Sequence, residues 1–405
     1  MRPEIDILFI GAFAPDTPGH QNSATSRAAV LFQTGFLKAI AQSGLPNPTV
    51  RTYFPVPSFP KSRTLIHIPQ EATVEGIAVR SLAHVNLGPL KVLTLGFSAA
   101  FAALKWGLSR KDKRRIVVTY NLNAPPAFLL VPVCRLLKME FVPFIGDIYV
   151  PGDFVPDSLS RRFEFALQKW AIPRTDGLIV CNRSIIDDFA PARRHMLVEG
   201  GVPRSFVERF RYQDQVGSKG FNAVFAGQLS ELNGVGLLLG AVRACDVPGL
   251  RVTVMGSGAL EDDVRSAAEE DPRIVYLGPV PYEEVLEHYR RADLLLNLRD
   301  TSFTTHRYVF PSKVVECLAT GVPLLTTNTG HVESEFGDFV FILEQETPSC
   351  LASTLSFIAS LPRESRLEIA LRAQEYVLEN KTWEAHARSL KDYLEDGAET
   401  AQEAA

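Results

Sequence analysis

Short apolar runs alternate with helix-length amphipathic stretches along most of the chain. IDILFIGAF (5–13) is a continuous apolar run of strand length. The polar loop APDTPGHQNSATS follows it, then RAAVLFQTGFLKAIAQSG, whose apolar positions recur at helical spacing until Gly44 ends them. RIVVTYN (115–121), EFVPFIGD (140–147) and DGLIVCN (176–182) predict further strands. A second series starts near residue 220: FNAVFAGQ (221–228), LRVTVMGSG (250–258), RIVYLGPV (273–280), ADLLLNLR (292–299) and VPLLTTN (322–328). The stretches between them are LNGVGLLLGAVRAC, LEDDVRSAAEE, PYEEVLEHYRRA and PSKVVECLATG, each one helix plus two short loops. Strand–helix alternation at this spacing predicts α/β units on parallel sheets, the second series forming a doubly wound domain of its own.

The length agrees with two cores, because 405 residues exceed what one ordinary core holds. The boundary falls in EGGVPRSFVERF (199–210), where Gly200, Gly201 and Pro203 make a turn. The expected organisation is a first domain over 1–200 and a second over 201–380. A helical segment from about 363 to 394 ends the pattern, and the small, acidic tail 395–405 is expected to lack structure. The opening MRPEIDILFIGAF carries Glu4 and Asp6 within its apolar run and reads as a first strand rather than a leader. Five scattered cysteines form no CxxC pair, which points to a reducing, cytoplasmic setting without structural zinc.

Charge changes the picture in one respect. The net charge of −4 divides into +8 over residues 1–200 and −12 over 201–405. A basic first half fits an anionic surface or acceptor, and chance variation between domains is the plainer explanation. Within that half, NLGPLKVLTLGFSAAFAALKWG (86–107) has an uncharged core of thirteen residues between Lys91 and Lys105. That core is too short to span a hydrocarbon layer of about 30 Å. SRKDKRR follows, with Arg110, Lys111, Lys113, Arg114 and Arg115. Two readings stay open: a buried helix ending in a solvated basic loop, or an interfacial helix whose basic flank docks on anionic lipid. Nothing in the sequence supports nucleic-acid binding.

In parallel α/β sheets the ligand-bearing loops follow the carboxyl ends of the strands. There the second half has GQLSELNG, GSG, GPVP and RDTSFTTHRYVFPSK. Glycine directly after a strand allows a close approach to the backbone, and a neighbouring helix N-terminus offers free N–H groups to an anion. In FPSKVVECLATGVPLL (310–325), Pro311 and Ser312 open a helix over 311–320 and Lys313 sits in its first turn. A cation there opposes the helix dipole unless an anion is bound. Glu316, one turn deeper, suits the paired hydroxyls of a ribose or sugar. The alternative is a simple Lys313–Glu316 ion pair on a solvated face. In the first half Asp147 closes a strand, as a group that orients or deprotonates an acceptor hydroxyl or as a loop cap. Gly19 and His20, and Asn121 with Asn123, follow other strands.

These segments together resemble the retaining GT-B glycosyltransferases, the large family that includes bacterial polysaccharide and lipid-linked sugar transferases. FPSKVVECLATGVPLLTTNTGHVESE is similar to that family's signature, a helix with a central glutamate before a G-x-P strand. FAGQLSELNGVGLLLGAV, LRVTVMGSGALEDDV, VYLGPVPYEEVLEHYRRADLLL and VEGGVPRSFV are similar to its other segments. The likeness is dense over about 175–340. DIYVP (147–151) is similar to a subgroup's Asp-Leu-Trp-Pro segment, and KTWEAHARSL (381–390) to the terminal helix that crosses back to the first domain.

The resemblance implies two Rossmann-like domains facing across a cleft, with the helix over 381–394 returning to the first. It implies a nucleotide-sugar donor on the second domain and a glycan, lipid-linked or small-molecule acceptor on the first. Transfer would retain the anomeric configuration without a metal or other cofactor, and the enzyme would be cytoplasmic or peripheral at the inner face of the membrane. The implied donor residues are Gly227, Gln228, Gly256, Gly258, Val280, Arg307, Tyr308, Pro311, Ser312, Lys313 and Glu316. Asp147, Lys313 and Glu316 would take part in the chemistry, and Gly19, His20 and Asn121 would face the acceptor. Three positions depart from the family's pattern. Tyr308 stands where many members have a first glutamate, eight residues before Glu316, and Gln228 and Asn233 stand where many have Arg and Lys. Lys313 and Arg307 are the cations that would compensate. Without them the chain would be a catalytically weak relative that binds or scaffolds.

Overall fold

A computed structural model describes residues 4–15, 27–122, 124–148, 150–152, 159–211 and 220–402. The chain forms two compact units, Met1–Gly201 with Trp383–Ala405, and Val202–Thr382.

The first unit is built on a six-stranded sheet. Ile5–Ala12 lies between Thr49–Tyr53 and Arg114–Thr119, all parallel. Ile77–Ser81 extends one side in parallel, with Glu71–Val74 antiparallel at its edge, and Glu140–Phe141 extends the other. The apolar run of 5–13 earns its central place: Ile7, Leu8 and Phe9 are buried. The single strand expected over 140–147 is two. Pro143 interrupts it, because proline has no N–H to give a ladder. Glu140–Phe141 stays with the large sheet, while Phe144–Ile145 joins Leu178–Val180 and His195–Leu197 in a three-stranded parallel sheet. The two-stranded pair Ile66–His67 and His84–Val85, and the strands at 49–53 and 71–81, were not evident in the apolar pattern.

The expected segment at 86–107 is the helix Gly88–Leu108, with Leu95, Ala99, Ala103 and Trp106 buried. No helix among the described residues is long and apolar enough to cross a membrane. The basic run after it is mostly held by the fold, with Lys111 left exposed. Arg110 pairs with Asp6 at 2.5 Å and Lys113 with Glu4 at 3.2 Å. Arg114 grips Glu140 with two bonds of 2.5 and 2.7 Å. Arg115 donates to the carbonyls of Gly107 and Leu137. Four of the five cations thus fasten the amino ends of strands to the neighbouring helix ends.

The expected helical stretch over 363–394 is two helices, Arg363–Asn380 and Trp383–Gln402. They part where Lys381 is fixed by an ion pair to Glu335 at 2.7 Å and Thr382 bridges to Val202, which carries the chain out of the second unit. The second helix belongs to the first unit. Trp383 sits edge-on to Phe32 and against Gly35 and Gly201, where any side chain would overlap its ring. The Tyr393 hydroxyl donates to the Leu178 carbonyl and accepts from the Leu178 N–H. The tail expected to be unstructured continues this helix to Gln402, in keeping with its Ala, Glu and Gln content.

In the second unit six parallel strands run in the order Ile274–Gly278, Leu250–Met255, Phe221–Ala226, Leu294–Asn297, Leu324–Thr327, Phe341–Leu343. Counted along the unit this is 3-2-1-4-5-6, the Rossmann order, with its switch point between Phe221–Ala226 and Leu294–Asn297. Helices Val235–Ala244, Glu261–Glu270, Tyr282–Arg290 and Lys313–Ala319 make the first connections. Valines and leucines of both layers, among them Val252, Val254, Leu238 and Leu294, are fully buried between them.

Candidate functional site

A pocket of about 570 Å³ opens at the carboxyl ends of the first three strands of the second unit. Its floor is made by three successive loops. Gly227 and Gln228 come from the first, Met255 to Gly258 from the second, and Pro279 and Val280 from the third. Tyr282, Val285 and Tyr289, on one face of a helix at spacings of three and four, form a wall. Lys313 and Glu316 close it from the helix beyond the switch point.

The loops are tied backbone to backbone. Gly227 N donates to Met255 O at 2.9 Å, Leu229 N to Ser257 O at 3.0 Å, and Gly256 N to Gly278 O at 2.9 Å. This crossing is why GSG is glycine at both ends. Gly256 has φ of +131°, and a Cβ there would run into the Gly227 carbonyl; at Gly258 it would run into that of Leu229. Gly256 and Gly258 thus serve the close approach of two protein loops, a reason the sequence did not show. A Cβ on Gly227 would lie 3.3 Å from the Lys313 ammonium.

The Lys313 ammonium crosses the switch point and donates to the carbonyl of Ala226, at the end of the first strand. That carbonyl offsets part of the cost of a cation in the first helical turn. The helix begins at Lys313 rather than at Pro311; Ser312 precedes it without a side-chain capping bond. Glu316 lies half-buried near Tyr289 and Cys317. Burial first, then Cys317 and the Glu316 charge, push the Tyr289 hydroxyl well above its ordinary value, so it is a neutral donor or acceptor. Burial and Glu316 likewise push the Cys317 thiol up to about 12, which makes it an unreactive packing group.

The structure therefore brings together Gly227, Gln228, Gly256, Gly258, Val280, Lys313 and Glu316. It does not bring Arg307, Tyr308, Pro311 or Ser312 to the pocket wall. Arg307 is exposed on the turn Thr304–Arg307, Tyr308 follows it half-buried, and Pro311 is buried. Asn233 is spent within its own loop, on Gln228 O at 3.0 Å and Ser230 Oγ at 3.1 Å. Lys313 is thus the only basic residue among the described residues lining the pocket. Ser257, Pro279, Tyr282, Val285 and Tyr289 were missed. The i, i+3, i+7 spacing of the last three was the signal that could have placed them on one helix face.

On the first unit Asn121 and Asp147 meet beyond neighbouring strand ends. Asn121 Nδ2 donates to Asp147 Oδ1 at 3.2 Å, and Asn121 Oδ1 accepts from Gly146 N at 2.7 Å. Asn121 holds a left-handed conformation, φ 59°, which asparagine tolerates better than most residues. Burial, then the charge of Glu164, push the Asp147 carboxyl up to about 6, against the Asn121 hydrogen bond. A carboxylate so tuned releases its proton near neutrality, as a general base must. Gly19, His20 and Asn123 lie outside the described residues.

Comparison with known proteins agrees with this architecture. Residues 236–392 match the family described as glycosyl transferase-like. Glycogen synthase of Mycobacterium tuberculosis is 24% identical over 215 residues, 49% of this chain. The chain matches about half the length of that curated relative. HepE of Anabaena, solved with UDP, superimposes with a TM-score of 0.63 at 15% identity, covering 98% of this chain and 100% of that one. Sucrose-phosphate synthase of Thermosynechococcus elongatus gives 0.67 at 13% identity, covering 97% and 100%. The fold is GT-B, two Rossmann-like domains. Over residues 236–392 the chain also shares the glycosyl transferase-like pattern.

Proposed function

We propose that the chain transfers a sugar from a nucleoside-diphosphate sugar, held in the pocket of the second unit, to a glycan, lipid-linked or small-molecule acceptor. The observation that carries this is the convergence of Lys313 and Glu316 on a glycine-tied pocket at the switch point of a Rossmann sheet. An ammonium fixed there supplies charge to a departing diphosphate, and a nearby carboxylate accepts hydrogen bonds from ribose hydroxyls. The relatives' ligands, UDP among them, are of the same class. Retention of configuration and independence of metal follow from the family resemblance. Asp147 is the acceptor-side base in this reading, with Asn121 orienting it.

Lys313 being the single cation among the described residues of the pocket favours a second reading, a chain that binds the nucleotide sugar with little turnover. Thermal stability in the presence of UDP, ADP, GDP and their glucose conjugates separates the two from a protein that binds none. At one hundred times its dissociation constant a ligand adds roughly 2.7 kcal/mol to the native state. Lys313→Ala and Glu316→Ala should each abolish most of that gain. Stabilisation without sugar release from the donor, with any acceptor supplied, would select the binding-only reading. No stabilisation by any of these nucleotides would remove both.

A further inference from the structure

The helix Gly88–Leu108 is apolar on both faces. One face is buried through Leu95, Ala99, Ala103 and Trp106, the helix packing on the helix Ala124–Leu137 and on the sheet. The opposite face presents Leu90, Leu93, Phe97, Phe101 and Leu108 to solvent, at spacings of three, four, four and seven. Phe97 is 63% and Phe101 66% exposed, as large aromatics seldom are without a partner. A helix that is hydrophobic all round belongs in a core or against lipid, and here no described part of the protein covers its outer face.

The elements neighbouring this helix carry exposed apolar side chains as well. Helices Ala124–Leu137 and Leu159–Ala171 pack in sequence beside it and add exposed Phe128, Leu136, Leu159 and Phe163. At its amino end, Asn86 Nδ2 bonds to Pro57 O and Thr64 O and Lys91 to Val56 O. These bonds pin a loop on which Phe59, Leu65, Ile66 and Ile68 are exposed.

Charge identifies the partner. From Thr17 to Met139 the sequence has fifteen Lys and Arg and three acids, Glu71, Glu75 and Asp112. After the internal pairing of Arg110, Lys113, Arg114 and Arg115, exposed Lys105, Lys111, Arg135 and Lys138 remain without an ion pair among the described residues. Lys61 and Arg63 add charge on the pinned loop, also exposed. The acids nearest these cations along the chain are Asp112, exposed beside Lys111, and Glu140, which is held by Arg114.

We propose that this face of the first unit docks on an anionic lipid bilayer, with Phe97 and Phe101 entering the headgroup–acyl boundary and Lys105, Lys111, Arg135 and Lys138 meeting lipid phosphates. The lipid contact is the apolar helix face with these flanking cations; of the SRKDKRR run only Lys111 takes part, since Arg110, Lys113, Arg114 and Arg115 are committed to the fold. An amphipathic surface of this kind binds through buried apolar area plus attraction to anionic headgroups. The proposal stands apart from the transferase reading, since docking requires neither donor nor turnover.

Flotation of the full chain with phosphatidylcholine vesicles, with and without phosphatidylglycerol, tests it. Binding should appear with phosphatidylglycerol and weaken with salt. Phe97→Ser with Phe101→Ser should reduce it by about tenfold or more. Lys105→Glu with Arg135→Glu, which leaves the apolar face intact, should remove the preference for the anionic vesicle. No binding to either vesicle, or equal binding to both, would overturn the proposal. So would a concentration-dependent dimer in light scattering that the phenylalanine pair variant returns to monomer, since the face would then serve a second copy of this chain.

Discussion

Asp147 shows how one residue carries opposite demands from stability and from chemistry. Its carboxyl, ordinarily near 3.8, is raised to about 6 by burial and by Glu164. Between those values the folded chain holds a proton that the unfolded chain has released, so stability falls as pH rises through that window and stays lower above it. Asp147→Asn removes the charged form. It should flatten the pH dependence of urea unfolding between about pH 4 and 6, and stabilise the protein at pH 7 by up to about 3 kcal/mol. The Asn121 donor keeps an acceptor in the variant, so the packing survives. Transfer, by contrast, should rise with pH through about 6 in the parent and be nearly lost in the variant. A variant that is neither stabilised nor impaired would make Asp147 a plain loop cap. The residue itself was legible as the polar end of an apolar strand. Its tuning was not, because Glu164 and Asn121 come to it from other elements.

The elements of the second unit were legible almost throughout, because each buried strand is a continuous apolar run bounded by glycine or a polar loop, and each helix keeps its own period. The first unit hid more. TVRTY and IAVRS alternate with polar residues, and their strands take their place from pairing with partners far along the chain. The basic run 109–115 reads locally as a charged loop. Asp6, the partner of Arg110, lies 104 positions away, and Glu140, the partner of Arg114, lies 26 away. At the pocket the glycines were legible and their reason was not, since the loops that meet are separated by a whole strand and helix. Gly256→Ala should therefore act through the fold first. A positive φ and overlap with the Gly227 carbonyl should cost about 2 kcal/mol or more and loosen nucleotide binding together with stability. Ser257→Ala, at the exposed neighbour, should change stability by less than about 0.5 kcal/mol. Equal behaviour of the two variants would show that the loop crossing tolerates a side chain.

At the scale of the whole molecule, the chain leaves the first unit at Gly201 and returns to it at Trp383, so the first unit depends on a segment made after the second. Trp383 is buried, its ring edge-on to Phe32 at 5.2 Å and in the space left by Gly35 and Gly201. Beyond it the His386 ring bonds to Gly200 O at 2.9 Å, and Leu390 and Leu394 are fully buried. Truncating such a tryptophan costs about 3–5 kcal/mol, because the lost transfer energy is joined by a cavity that the rigid neighbours do not fill. Trp383→Ala should place that cost on the first unit. The pocket, made wholly of residues within Val202–Thr382, should keep its nucleotide affinity at temperatures where the second unit is folded. Hydrogen exchange followed by peptide would read both at once. Protection should fall over 27–42 and 178–197, while nucleotide-induced protection over 226–229 and 255–258 stays as in the parent. Loss of nucleotide protection in Trp383→Ala at low temperature would mean that the donor pocket needs the first unit intact, and the modular account of the chain would fail.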